Sequence, residues 1–147
     1  MTAPLPPATV LAFDFGTQRI GVAVGNTLTR AAAPLATIAA AGAGMRMDAI
    51  AALVAQWQPG LLVVGIPVHA DGAPHALTAR AQRFARQLEG RFRLPVERAD
   101  ERHTTQIAQS MLDASGSGGR AGRAGRDQVA AQLILQGWFD ERSRGTA

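Results

Sequence analysis

The sequence has no cysteine, no tyrosine and no lysine. Without cysteine there are no disulfides and no thiolate metal ligands, which suits a reducing cytoplasm. Without lysine no ammonium group can hold a phosphate, so all fifteen basic residues are arginine. Aromatic residues make up only 5% of the chain, so platforms for stacking bases are sparse. No apolar run reaches eighteen residues, so no membrane span is expected. The opening stretch, "MTAPLPPATV", has neither a basic start nor an apolar core and does not read as a secretory signal.

What is present is the material of one domain. The chain has 147 residues, 47% of them hydrophobic, enough for a core. Its net charge is +4. An arginine-only basic balance points to a polyanionic partner, because guanidinium forks match phosphate oxygens in pairs. A GC-rich genome would give the same composition, so where the arginines fall matters more than their number.

Apolar patterning predicts strands at Val10–Phe15, Ile20–Gly25, Leu35–Ile38, Leu61–Gly65 and Pro95–Ala99. The first two lie close enough to form an antiparallel hairpin. "LLVVG" has the continuous apolar character of a buried parallel strand. Helices are expected over Met45–Trp57, Ala76–Glu89, Thr104–Ala114 and Val129–Phe139. On the first, Met45, Ile50, Leu53, Val54 and Trp57 form the apolar stripe. "SGSGGRAGRAGR" (Ser115–Arg126) reads as a flexible loop. Residues 1–9 read as a loose leader, 10–140 as the domain and 141–147 as a loose tail. The class is α/β: one mixed five-stranded sheet with helices on its faces.

Asp14 stands out because it sits between Phe13 and Phe15 in the first strand. A lone ionised carboxylate buried there would cost on the order of several kcal/mol. Two other acids lie at the ends of buried elements. Glu101 follows the strand at Pro95–Ala99, and Asp127 opens the last helix. Asp127, Ala131, Ile134 and Trp138 share one helical face, which aims Asp127 at the sheet. If Glu101 follows a strand next to that of Asp14, the three carboxylates meet and repel unless a cation lies between them. Oxygen ligands without His or Cys point to Mg²⁺ or Mn²⁺. Plainer readings stand beside this one. Asp127 could cap its helix, and Glu101 could be a solvated acid paired with Arg98 or Arg102.

Four blocks then carry a resemblance. "DFGTQRIGVAVGN" resembles the DxGxxRIGxA opening of the YqgF family, the Holliday-junction-resolvase-like pre-16S rRNA nucleases. "VVGIPVHADGAPHALTARAQRFARQL", "DERHTTQIAQ" and "DQVAAQLILQGWFD" resemble its later blocks, in family order. The resemblance implies an RNase H-like fold and a divalent-metal nuclease with Asp14, Glu101 and Asp127 as catalytic metal ligands. Asp100, adjacent, is a reserve ligand. It also implies a bacterial cytoplasmic role in maturing the 5′ end of 16S rRNA, with RNA, branched DNA or a ribosome precursor as partner. His69 and His103 depart from the family pattern; His103 is read as a surface residue.

Arg19, Arg102, Arg120, Arg123 and Arg126 are the expected nucleic-acid contacts, the last three around the approach to Asp127. Arg80, Arg83 and Arg86, with Arg91 and Arg93, give the second helix a basic flank that fits a solvated surface equally well. Recognition of phosphate and shape is expected over reading of bases. The competing functions are a Holliday-junction-type DNA resolvase, a nucleic-acid-binding or ribosome-assembly factor without catalysis, and a phosphotransferase of the actin and sugar-kinase group. The last needs two such domains around ATP, and only one fits here.

Overall fold

The computed structural model describes residues 8–39, 42–68, 71, 73, 75–101 and 119–145, with the side chains of 43, 119–124 and 143–145 excepted. Strands β1 (Thr9–Asp14), β2 (Arg19–Asn26), β3 (Ala31–Ala39), β4 (Leu61–Ile66) and β5 (Val96–Asp100) form one sheet in the order β3-β2-β1-β4-β5. β1 pairs antiparallel with β2 and β2 antiparallel with β3, while β4 runs parallel to both β1 and β5. Helices α1 (Ala43–Trp57) and α2 (Thr78–Phe92) follow β3 and β4; α3 (Gly119–Gly145) closes the described chain. The expected helix at Thr104–Ala114 lies outside the described residues.

The alternation of β1 divides the core in two. Leu11 and Phe13 join Ile50, Leu62, Phe84 and Leu88 under α1 and α2. Val10 and Ala12 join Val63, Ala131, Ile134, Leu135 and Trp138 under α3. β1 is thus covered on both faces, as its near-continuous apolar run requires. Asp14 ends this central strand and does not lie mid-strand as the pattern suggested; it falls on the α3 face.

Three elements differ from the sequence expectation. β3 extends well beyond Leu35–Ile38 and runs through Pro34. It is an edge strand, where a residue without an N–H is tolerated, and the ladder shifts beside Pro34 between Val22 and Ala23. Its alanines carry little strand propensity, but α3 holds them. The Gln136 side chain accepts from the Ala32 N–H at 3.2 Å, and the Gln132 side chain donates to the Ala32 carbonyl at 3.1 Å. Gln128 donates to the Thr37 hydroxyl at 3.3 Å. Gln128, Gln132 and Gln136 recur every fourth residue, so one face of α3 runs along β3 and covers its open edge.

α3 itself is far longer than Val129–Phe139. It begins within the glycine-rich stretch, at Gly119, and extends to Gly145 in the expected tail. Glycine weakens a helix by about 1 kcal/mol relative to alanine but keeps its N–H donor, and the intervening Ala and Arg are good helix formers. On α1, Met45 is 67% exposed, and Met47, with Ile50, takes the buried position instead.

Leu135 is fully buried between α3 and the sheet. Leu135→Ala is expected to lower the unfolding free energy by about 2–5 kcal/mol. Leu28→Ala, at a 72% exposed turn residue, should change it by less than about 0.5 kcal/mol. Urea denaturation of the two variants checks both figures.

Candidate metal centre at the end of the central strand

The site begins with a row of small residues. Asp14 pairs with Gly21 on β2, and Gly21 pairs with Thr37 on β3. On the other side, one step beyond the Phe13–Val64 pairing, stands Gly65, which pairs with Ala99 on β5. Asp14 therefore sits between two glycines on the α3 face. A Cβ on Gly21 would overlap the backbone carbonyl of Asp127. A Cβ on Gly65 would lie 2.5 Å from Ile134 Cδ1 and 3.1 Å from Glu101 Cγ. One glycine admits the backbone of α3 at Asp127; the other admits the Glu101 side chain.

This placement corrects the route by which Glu101 arrives. β5 is not adjacent to β1, because β4 lies between them. Glu101, just past β5, reaches across Gly65 to hydrogen-bond Asp14. Burial pushes the Asp14 carboxyl up to about 6; the bond to Glu101 opposes this, and the charge of Asp127 adds to it. Burial also pushes Glu101 up to about 8, reinforced by the charge of Asp14, the shared hydrogen bond and the charge of Asp100. Both carboxyls are thus pushed toward their neutral forms, in a place that disfavours charge.

Asp127 approaches from the third turn of α3, not from its first, so the helix-capping reading does not apply. Its neighbours Ala131, Ile134 and Trp138 are buried against the sheet on the same face, as their spacing predicted. Its carboxylate is turned to Arg19, whose Nε donates to Oδ2 at 2.6 Å. Asp14 and Glu101 are in contact, then, while Asp127 is near enough to act on Asp14 through its charge but is engaged elsewhere. Among the described residues no three acidic or histidine side chains enclose a single point.

The remaining candidates divide. Asp100 ends β5 opposite Ile66, which belongs to the α1–α2 core, so by alternation it sits on the other face from Asp14. Arg19, read as a phosphate contact, is paired with Asp127. Arg126 precedes Asp127 on α3 and is exposed. Arg102, His69 and His103 lie outside the described residues, as do the side chains of Arg120 and Arg123. Sequence reasoning missed Gly21 and Gly65. The visible signal was a glycine interrupting each of two strands otherwise rich in Val and Ile, which marks a close approach by another group.

The donor set suits a hard divalent cation. Two half-buried carboxyls face each other, and Asp127, paired with Arg19, is near enough for its charge to act on Asp14. Oxygen ligands of this kind suit hard divalent cations over softer ones.

Comparison with known proteins bears on this arrangement. The RuvX family profile, described as "Holliday junction resolvase", matches residues 8–141. A protein of Nitrosomonas europaea named "Putative pre-16S rRNA nuclease" is 56% identical over 132 residues, covering 90% of this chain and 89% of its own. One of the same name from Chromobacterium violaceum is 52% identical over 132 residues, covering 89% and 96%. Among solved structures, T. thermophilus RuvC in complex with Holliday junction substrate has a TM-score of 0.55 at 16% identity, covering 92% of this chain and 95% of that one. A second Thermus thermophilus RuvC structure gives 0.50 at 15% identity, covering 92% and 96%. The fold is that of RuvC, RNase H-like, as the sequence resemblance implied. No helix among the described residues is long and apolar enough to cross a membrane.

Two measurements test the geometry. Gly21→Ala forces the Asp127 backbone away from the sheet and should cost about 1–3 kcal/mol of stability; a variant as stable as the parent by urea denaturation would contradict the close approach. The second is pH-dependent. Both carboxyls hold a proton more tightly when folded than at their ordinary values of 3.8 and 4.5. That contribution to stability is complete at low pH and is lost as pH rises through about 6 and about 8. Without divalent cations, Glu101→Gln should therefore gain in melting temperature relative to the parent between about pH 5 and about pH 8. A constant difference across that window argues against the raised affinity of these carboxyls for protons.

Proposed function

The chain belongs to the RuvX family, and from that premise we propose that Asp14, Glu101 and Asp127 are the carboxylates of a divalent-metal nuclease acting on precursor 16S rRNA. The enzyme hydrolyses phosphodiester bonds. The observation that carries the site assignment is the contact between Asp14 and Glu101 across Gly65, at the end of the strand where Asp127 also arrives.

Mg²⁺ or Mn²⁺ is the proposed cofactor. Such an ion supplies Lewis acidity, polarising the phosphoryl group and making water a nucleophile at neutral pH. The chain's own residues have separate tasks. Asp14 is fixed by the ends of β1 and β2 and anchors the site. Glu101, in contact with Asp14, would hold the ion with it once both carboxyls are ionised. Asp127 is held in position by Arg19, which keeps a guanidinium beside the carboxylates, where the scissile phosphate must lie. Arg102 follows Glu101 in the chain, and Arg120, Arg123 and Arg126 recur along the segment of α3 leading to Asp127. These arginines carry the nucleic acid by its phosphates. Asp100, on the opposite face of β5, stays in reserve.

The substrate follows from the names of the relatives, with 5′-end maturation in the cytoplasm as the setting and a ribosome precursor as the partner. The family description and the RuvC fold supply one specific reason for a second reading, cleavage of branched DNA.

Purified protein with Mg²⁺ or Mn²⁺ is to be set against precursor rRNA, single-stranded RNA and four-way DNA junctions. Cleavage of the precursor is expected, with loss on chelation and a fall of at least about 100-fold in Asp14→Asn, equivalent to roughly 2.7 kcal/mol of barrier. Undiminished cleavage by Asp14→Asn removes the carboxylate assignment. Cutting confined to the DNA junctions selects the resolvase reading.

A further inference from the structure

The opposite face of the same strand end holds a second feature. Phe15 follows Asp14 directly, but its side chain turns to the α1–α2 side, where it meets Phe84 at 5.1 Å between ring centroids. Above these rings lies a cavity of about 400 Å³, walled by Thr17, Arg46, Arg80, Arg83 and Gln87. That volume lies in the range of small-ligand sites. Arg80, Arg83 and Gln87 line one side of α2, while Arg46 comes from α1 and Thr17 from the turn between β1 and β2.

Its charge is one-sided. No carboxylate lines the cavity. Arg19, Arg91, Arg98 and Arg142 form ion pairs away from the cavity. The Arg46 guanidinium lies 5.4 Å from the centroid of the Phe15 ring, and its Nε is buried with no hydrogen-bond partner. A buried donor left unsatisfied beside two further guanidinium groups is costly unless an anion completes it. Three planar forks around one space match the oxygens of a phosphate.

We infer that this cleft is a second nucleic-acid subsite, which seats a phosphate of a single strand passing over the end of β1 from the carboxylates on the other face. The inference rests on the nuclease reading for the identity of the polyanion. Asp14 and Phe15 are consecutive residues, so their Cα atoms are about 3.8 Å apart, and a strand draped over that edge meets both faces. The cleft holds its length of nucleic acid by charge and leaves the bases unread, because Phe15 is already covered by Arg46.

The test measures binding of a short 3′-labelled single-stranded RNA by fluorescence anisotropy in chelator, across a salt series. Arg80→Gln/Arg83→Gln should bind about tenfold more weakly, with the log–log salt slope reduced by about 0.7, for the one lost phosphate contact. Its melting temperature should stay unchanged, since both side chains are exposed. Arg98→Gln/Arg142→Gln removes the same charge away from the cleft and should shift binding far less. Equal losses in the two double variants, or no loss in the first, overturn the proposal. A 5′-phosphorylated and a 5′-hydroxyl RNA are compared: equal weakening assigns an internal phosphodiester, and weakening of the phosphorylated form alone assigns a terminal phosphate. Asp14→Asn is run in parallel and should bind like the parent. If it still cleaves RNA with metal restored, the carboxylate reading fails while the arginine result stands by itself.

Discussion

Two carboxyl groups in contact at the end of the central strand are the constraint around which this molecule is organised. Burial opposes their charge, and their mutual repulsion opposes it again. An arrangement of that kind persists only where the backbone forces it. Here the force comes from absent side chains. Gly21 and Gly65 flank Asp14 in the sheet, so one neighbour admits α3 and the other admits Glu101. The two carboxyls are held together by the same packing that builds the domain.

α3 links stability to the site. Its apolar face closes the second core, and its glutamines run along the open edge of β3. Gln128, bound to Thr37, is the next residue after Asp127, so the contact that registers the helix on the sheet also registers its carboxylate. Arg19 completes the hold from the start of β2. Substitutions along this seam are felt at Asp127 and Asp14 even where they touch neither.

Helices on both faces of the sheet were legible in the sequence, and in the structure Leu11 and Phe13 join one core while Val10 and Ala12 join the other. The spacing of Asp127, Ala131, Ile134 and Trp138 likewise showed which way the last helix faces. Strand order was not legible, because local patterning does not encode which strand neighbours which. Glu101 was therefore assigned to an adjacent strand, when it crosses β4. The full extents of β3 and α3 were hidden by their composition. Alanine and glycine are weak signals for strand and helix, and in both elements tertiary contacts prevail over propensity. Arg19 was read from its charge as free to meet phosphate; its pairing with Asp127 depends on a contact between residues far apart in the chain.

The end of β1 thus has carboxyls on one face and, on the other, the guanidinium groups of Arg46, Arg80 and Arg83 brought there by α1 and α2. The first is the centre of the account, and diffraction tests it most directly. Crystals soaked in Mn²⁺ and measured for anomalous scattering should show a peak bounded by the carboxylates of Asp14 and Glu101. A peak only at other surface acids, or none there at a concentration that supports cleavage, would contradict it.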